Sequence, residues 1–262
     1  MCLIVFSYKL HPNYPFILAG NRDEFYKRPT QPAHRWKTEP VIYAGKDLKD
    51  GGTWLGFTDT GRFAALTNFR DMKNLSKTAP SRGEIVTSFL LSKKNVEDTL
   101  QQLNEKADLY NGFNLIAGTF DKLFYLSNQN DEIEEINPGI HAISNAYLNT
   151  PWPKTTRAHK QFKNVLASDE LDENAIFDLL KDTTRYPIDV LPKTGLPDEM
   201  ECAVSSAFIQ TEDYGTRSTS IIMVDQQMNA KLIEHTYEPG TLKVINREKL
   251  TCQLTRKDVQ IG

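Results

Sequence analysis

The 262-residue sequence has few cysteines and no long apolar run. The three cysteines, Cys2, Cys202 and Cys252, are an odd number without a C-x-x-C pair, which is typical of neither a disulfide framework nor a zinc site. No apolar run approaches the ~18 residues of a membrane-spanning helix, and the short apolar stretch after Cys2 lacks the basic start of a signal peptide. We therefore expect a cytoplasmic protein without a membrane span.

Excess positive charge is also lacking. Lys and Arg total 31 against 34 Asp and Glu, so the formal net charge is -3. A nucleic-acid-binding protein needs clustered excess cations, and we expect no nucleic-acid partner. The five histidines show no metal-ligand spacing, and we predict no metal and no cofactor. A P-loop, a G-x-G-x-x-G fingerprint and a G-x-S-x-G nucleophile elbow are absent, which argues against nucleotide-binding enzymes and α/β-hydrolases.

The pattern of apolar and turn residues predicts blocks of hairpins separated by pairs of helices. Hairpins are expected over residues 3–19 and 51–69, helices over 81–107 and 155–182, and further strands over 113–127, 139–145, 201–210, 216–224 and 231–237. A capping box at Ser81 and Glu84 opens the first helix. The Pro-punctuated stretch 26–40 predicts an irregular loop that forms a lid or a pocket wall, and a polar tail is expected after residue 237. This order favours antiparallel sheets covered by helices in one α+β domain spanning residues 1–262.

Cys2 is the most informative single residue, because removal of Met1 makes it the N-terminal residue. Such a residue contains both a nucleophilic thiol and a base, since a free α-amine titrates at about 7.7 to 8.0 and can accept the thiol proton. The alternative is that Cys2 is a small apolar residue at the start of a buried strand.

The tetrapeptide Asn21-Arg22-Asp23-Glu24 follows the second strand of the first hairpin and should therefore lie close to Cys2. A carboxylate there could hold the α-amine, and a guanidinium could lower the pKa of the thiol or bind an acyl substrate. In a regular strand Asn21 and Asp23 face one side and Arg22 and Glu24 the other. The alternative is a solvated strand end with local ion pairing.

Three later residues are candidates for anion or oxyanion binding. Asn68 and Asn145 each end a predicted strand, where an amide N–H could stabilise an oxyanion or simply form a turn. Arg217 opens a strand and could bind an anion or a neighbouring carboxylate.

These pieces together resemble the NRDE family, which is named for the tetrapeptide and includes relatives of the transport and Golgi organization protein. The matching segments are Met1-Cys2, residues 21–24, 51–56, 67–70 and 214–220. The family is in turn similar to cysteine N-terminal nucleophile (Ntn) hydrolases such as penicillin V acylase and conjugated bile acid hydrolase.

The resemblance implies a four-layer αββα sandwich of the Ntn-hydrolase type with two mainly antiparallel sheets. It implies that Cys2 is the nucleophile, Asp23 the carboxylate that holds the amine, Asn68 the oxyanion donor and Asn145 the second pocket amide. Here Arg22 and Asp23 are adjacent, whereas the hydrolases separate these residue types by two positions. Either Arg217 or Arg157 corresponds to the later arginine of the hydrolases.

Two functions follow as hypotheses. The first is a cysteine amidohydrolase or acyl-transfer enzyme acting on a small amide or thioester, with Asn21, Arg22, Glu24 and Arg217 binding substrate. The second, implied by the resemblance, is a non-catalytic carrier of lipid, acyl-CoA or haem. A buried apolar pocket with Arg22 at its mouth would suit an acyl ligand.

Overall fold

The computed structural model describes residues 2–130, 132–168 and 170–255, which form two antiparallel sheets and five α-helices. The strands are β1 (Cys2–Tyr8), β2 (Phe16–Phe25), β3 (Thr30–Arg35), β4 (Ile42–Asp47), β5 (Leu55–Thr58), β6 (Arg62–Asn68), β7 (Phe113–Thr119), β8 (Lys122–Ser127), β9 (Ile133–Glu135), β10 (Gly139–Ile143), β11 (Tyr214–Val224), β12 (Asn229–Tyr237) and β13 (Val244–Gln253). The first sheet has the order β10-β1-β2-β11-β12-β13 and the second the order β3-β4-β5-β6-β7-β8-β9. The helices are α1 (Gly83–Leu91), α2 (Val96–Asn104), α3 (Pro153–Val165), α4 (Glu173–Leu180) and α5 (Asp198–Ala203). None of the helices in these ranges is long and apolar enough to cross a bilayer.

Three apolar clusters define four layers. Between the two sheets, the rings of Phe16 and Phe63 lie 4.9 Å apart within one core. A second core joins α1 and α2 to the second sheet, and a third joins α3 and α4 to the first sheet. The order is therefore helices, sheet, sheet, helices, and the predicted α+β sandwich is confirmed.

Strand periodicity explains why β1 and β2 are buried on both faces. Ile4 and Phe6 of β1 pack between the sheets, whereas Leu3 and Val5 pack against α3 and α4, because successive side chains of a strand point to opposite faces. Both faces are covered, so the strands read as continuous apolar runs in the sequence.

The first hairpin has the predicted position and a register that matters for the site. Cys2 lies directly opposite Arg22 and Leu3 opposite Asn21. By strand alternation Cys2, Arg22 and Glu24 belong to the face between the sheets, and Asn21 and Asp23 to the face toward the helices. At Gly20 an added Cβ would lie 3.1 Å from the Trp54 ring, so glycine leaves room for that side chain between the sheets.

Four sequence predictions of secondary structure are wrong. Part of the expected loop 26–40 forms the edge strand β3, where Pro32 coincides with a register irregularity and its missing N–H breaks no ladder bond. The tail after residue 237 contains β13, whose half-buried face includes polar side chains and so resembles a surface segment. Residues 201–210 contain the end of α5 and irregular chain instead of a strand. The capping box is not formed, because Arg82 is the N-cap of α1 and makes no side-chain cap bond.

Candidate functional site

A cavity of about 290 Å³ opens between the two sheets, beside the start of β1 and the end of β2. At this end of the space between the sheets, polar side chains replace the apolar core residues. Ten charged residues line this cavity: Arg22, Asp23, Glu24, Arg28, Lys46, Asp47, Asp50, Lys77, Arg82 and Glu234. The cavity is therefore not the apolar pocket with Arg22 at its mouth that would suit an acyl ligand.

Cys2 lies in the wall of this cavity and is 7% exposed. Burial raises the pKa of its thiol, and the negative charge of Asp23 acts in the same direction. The Asp23 backbone N–H and the Arg22 guanidinium oppose this rise without reversing it. The side chain is therefore a thiol near neutral pH and needs a base to become a nucleophile.

The NRDE tetrapeptide is divided between the two faces of β2. Arg22 and Glu24 line the cavity with Cys2. Asn21 is fully buried among the helices instead, where its amide donates to the carbonyls of Leu180 and Ala207 at 2.8 Å each. Asn21 therefore does not line the cavity, and its hydrogen bonds tie β2 to the helical layer.

Asp23 is 2% exposed and accepts a 2.6 Å hydrogen bond from the Thr216 hydroxyl, while its backbone carbonyl accepts one from Tyr214. Burial raises the pKa of the Asp23 carboxyl, and the cation Lys154 and the Thr216 hydrogen bond act against this rise. The carboxylate lies on the helix-facing side of β2, yet Asp23 also borders the cavity next to Cys2.

Asn68 and Asn145 are brought together at the end of β6. The Asn145 amide donates to the Asn68 carbonyl at 2.8 Å. The Asn145 Oδ1 accepts from Ser144 Oγ at 3.1 Å and from Arg70 Nη2 at 3.3 Å. Only Asn68 lines the cavity, and within the described chain its side-chain amide has no hydrogen-bond partner. Asn145 thus holds the backbone of a residue that lines the cavity.

The two candidates for the later arginine lie outside the cavity lining. Arg217 occupies a register irregularity where β11 passes β2, and it donates to the carbonyls of Phe25 and Arg28. Arg157 lies on α3 and pairs with Asp182. Arg217 therefore fixes the turn after β2, and Arg157 belongs to the helical surface.

Sequence reasoning missed a buried cluster of charges on the helix side of Asp23. Arg70 and Glu201 form an ion pair of 2.7 Å with side chains only 4% and 2% exposed. Lys154 is 3% exposed and donates to the Val204 carbonyl at 3.1 Å. Burial and the positive charge of Arg70 lower the pKa of Lys154 to about 8, and the negative charge of Asp23 acts against this decrease. Lys154 follows Pro153 at the start of α3, a position typical of an exposed lysine, so the sequence did not indicate that it is buried.

Arg82 and Glu234 also border the cavity and were not identified from the sequence. Glu234 Oε1 accepts from the Ala33 N–H at 2.8 Å and Oε2 from Ser220 Oγ at 3.0 Å, so it joins β12 to the edge strand β3. Among the described residues, no three His, Cys, Asp or Glu side chains are placed to hold a metal ion.

The architecture is similar to that of a known hydrolase. A variant of conjugated bile acid hydrolase from Clostridium perfringens superimposes with a TM-score of 0.51 at 10% identity, over 100% of both chains. At this identity the likeness concerns the fold alone, and it agrees with the predicted Ntn-hydrolase type of sandwich.

Sequence comparison identifies the relatives. The chain is 34% identical to the human Transport and Golgi organization protein 2 homolog over 257 residues, covering 90% of this chain and 93% of the relative. The Drosophila melanogaster Transport and Golgi organization protein 2 is 28% identical, covering 90% and 92%. A family model described as "Transport and Golgi organisation 2" matches residues 1–239. The chain therefore belongs to the Transport and Golgi organisation 2 family, which agrees with the resemblance predicted from the NRDE tetrapeptide together with the other matching segments.

Proposed function

We propose that this protein is an Ntn-type cysteine amidohydrolase or acyl-transfer enzyme that acts on a small amide or thioester. The observation that carries the proposal is the position of Cys2. It begins a central strand, lies opposite Arg22 and borders a cavity between the sheets. Met1 lies outside the described residues, and the proposal requires its removal.

The α-amine of Cys2 is the base in this reaction. Burial raises the pKa of the Cys2 thiol, so a proton must leave as the sulfur attacks. The free amine, with an ordinary pKa of about 7.7 to 8.0, accepts that proton. A C–S bond forms, the proton passes to the leaving amine or thiol, and that group departs. Water then attacks the acyl-enzyme, and the thiol is regenerated with release of a carboxylic acid.

Asp23 is suited to holding the protonated amine. It is buried and adjacent to Cys2 in the cavity wall, and its orientation is set by the hydrogen bond from Thr216. Lys154 lies behind it, and its positive charge lowers the pKa of the Asp23 carboxyl against the effect of burial. We assign Lys154 the role of keeping Asp23 ionised.

Asn68 is suited to stabilising the oxyanion. Asn68 lines the cavity, and among the described residues its side-chain amide has no hydrogen-bond partner. A well-placed donor of this kind contributes about 3 to 4 kcal/mol to transition-state stabilisation. Asn145 is a positioning residue, because its own amide is committed to the Asn68 carbonyl.

Mass spectrometry of the intact protein and alkylation kinetics test the proposal. We expect Met1 to be absent and iodoacetamide to modify Cys2 faster than Cys202 or Cys252. Against a panel of chromogenic amides and thioesters, Cys2→Ala should abolish turnover with an unchanged circular dichroism spectrum, and Cys202→Ala should retain full turnover. A protein that retains Met1, or turnover that persists in Cys2→Ala, would contradict the mechanism.

The alternative is carriage of a lipid, acyl-CoA or haem by the same cavity without turnover. It is favoured by the exposed apolar side chains of Phe25 and Leu48, which follow the cavity residues Glu24 and Asp47 in sequence. Saturable binding of palmitoyl-CoA or haem at micromolar concentration, equal in wild type and Cys2→Ala and without product, would establish it.

A further inference from the structure

The cavity beside Cys2 is lined by an arginine, Arg82, that forms no ion pair with a carboxylate in the part of the chain that the structure describes. We propose that the ligand carries an anionic group, a carboxylate or a phosphate, and that Arg82 binds this group. The inference rests on the proposed function in one respect, because it takes Cys2 as the reacting residue of the same cavity.

The acidic residues of the cavity are already engaged. Arg28 pairs with Asp47 and Asp50, and it lies 3.8 Å from Glu24, which also accepts from the Phe25 N–H. Glu234 is occupied by the Ala33 N–H and the Ser220 hydroxyl. These acids are therefore neutralised or hydrogen-bonded without help from Arg82.

Arg82 has one hydrogen bond, from Nη1 to the Gly112 carbonyl at 2.9 Å. Within residues 2–130, 132–168 and 170–255, no carboxylate forms an ion pair with it. Burial lowers the pKa of its guanidinium, and the negative charge of Glu24, which forms no ion pair with it, acts against this decrease. A half-buried guanidinium with unused donors in a cavity is a site for a carboxylate or phosphate, which it can bind through two parallel hydrogen bonds.

The position of Arg82 is fixed by close backbone packing. Gly52 lies against Gly83, where an added Cβ would come within 2.4 Å of the Gly83 carbonyl carbon. The Thr53 N–H donates to the Gly83 carbonyl at 3.3 Å. The start of α1 is therefore held against the loop before β5, and Arg82 is presented to the cavity on a packed element.

Arg22 supplies a second, partly available cation on the opposite sheet. Its contacts are long, at 3.8 Å to Asp47, 4.0 Å to Glu24 and 3.4 Å to the Thr30 hydroxyl. Arg22 lies opposite Cys2 on β1. An anionic substituent on the substrate would therefore bind near Cys2 between two guanidinium groups, and the substrate class is an anionic amide or thioester.

Protection of Cys2 from iodoacetamide tests this assignment in the full-length protein. The probes are glutarate for a carboxylate, glycerol phosphate for a phosphate, and the neutral glutaramide. The variants are Arg82→Gln, the charge-retaining Arg82→Lys, and Arg247→Gln, which removes an exposed arginine of β13 that does not line the cavity. Cys202 and Cys252 serve as internal references for reagent reactivity.

We expect at least one anion to slow the labelling of Cys2 saturably, and glutaramide to have no effect. The anion that protects Cys2 shows whether the ligand's anionic group is a carboxylate or a phosphate. Arg82→Gln should weaken protection about tenfold or more, the size expected for loss of a charge-assisted hydrogen bond. Arg82→Lys should weaken it less, and Arg247→Gln should leave it unchanged.

The assignment would be overturned by any of three results. These are protection of Cys2 by glutaramide equal to that by the anions, no protection of Cys2 by either anion, and undiminished protection of Cys2 in Arg82→Gln. If Arg82→Gln fails to fold, the wild-type comparison of anions with glutaramide and the Arg82→Lys variant still decide it. The unprotected rate at Cys2 relative to Cys202 and Cys252 tests the nucleophile separately, so a failure of the proposed function is distinguishable from a failure of anion binding.

Discussion

Replacing Lys154 with methionine should leave the protein as stable at pH 7 or more stable, although Lys154 is buried and hydrogen-bonded. Burial lowers the pKa of Lys154 from 10.5 to about 8. At 1.36 kcal/mol per pKa unit, keeping this side chain charged in the folded state costs about 3 kcal/mol below pH 8. Lys154→Met removes that cost, but it leaves the Val204 carbonyl without its partner, which costs about 1 to 3 kcal/mol. The expected net change at pH 7 is a gain of about 0 to 2 kcal/mol.

The pH dependence is the sharper part of this prediction. Between pH 8 and 10.5 the unfolded chain keeps the Lys154 proton and the folded chain loses it, so the stability of the wild type rises with pH. The variant lacks this rise. Its stability relative to the wild type should therefore fall by about 3 kcal/mol between pH 7 and pH 10.5.

Urea unfolding of both proteins at several pH values measures this difference. Lys160→Met, on the exposed side of the same helix α3, is the matched control and should show no such pH dependence. Two results would refute the reasoning: a Lys154→Met variant that is destabilised by more than about 2 kcal/mol at pH 7, or a stability difference from the wild type that does not change with pH. Both quantities depend on the free-energy cost of the buried charge. Turnover should fall in Lys154→Met, because loss of its charge raises the pKa of the Asp23 carboxyl further.

Three further predictions concern the surroundings of the cavity. Glu201→Gln should destabilise the protein by about 3 to 5 kcal/mol in urea unfolding, because it leaves the Arg70 guanidinium buried without its carboxylate; a loss below 1 kcal/mol would show that the pair is not desolvated. Gly52→Ala should cost about 1 to 3 kcal/mol, since the added Cβ would meet the Gly83 backbone, and an unchanged unfolding midpoint would contradict the close packing. The rate of Cys2 alkylation should keep rising above pH 9, because burial raises the thiol pKa, and unfolding in urea should shift this profile to lower pH; a plateau below pH 8 would indicate a thiolate already present at neutral pH.

Local sequence patterns predicted the elements that carry strong periodic signals. The apolar runs of β1 and β2 and the breakers between them located the first hairpin, and the 3.6-residue spacing located α1 to α4 but not α5. The edge strand β3 and the polar strand β13 were not predicted, because an edge strand tolerates proline and a half-exposed strand needs few apolar residues. These segments are strands because they pair with a neighbouring strand, and local sequence patterns do not show such pairing.

The candidate site divided in the same way. The hairpin register that brings Arg22 opposite Cys2 follows from the lengths of two adjacent strands, and strand alternation correctly separated Arg22 from Asp23. Asn21, in contrast, was grouped with the pocket because it belongs to the tetrapeptide, and its actual partners Leu180 and Ala207 are more than 150 positions away in sequence. Nothing in the sequence indicated the buried charges Lys154, Arg70 and Glu201, because each of them, taken alone, resembles an exposed charged residue.

The sequence by itself determined the family, the layered α+β architecture and the residue that begins β1, because these depend on motif identity and on short-range periodicity. Only the tertiary structure decided that the cavity is lined by charges and that Lys154 and the Arg70–Glu201 pair lie behind Asp23. It also decided that Arg82 forms no ion pair with any carboxylate in the described part of the chain. These properties depend on residues that are distant in the sequence and that only the fold brings together. The electrostatic effect of a charge depends on its burial and on which charges surround it.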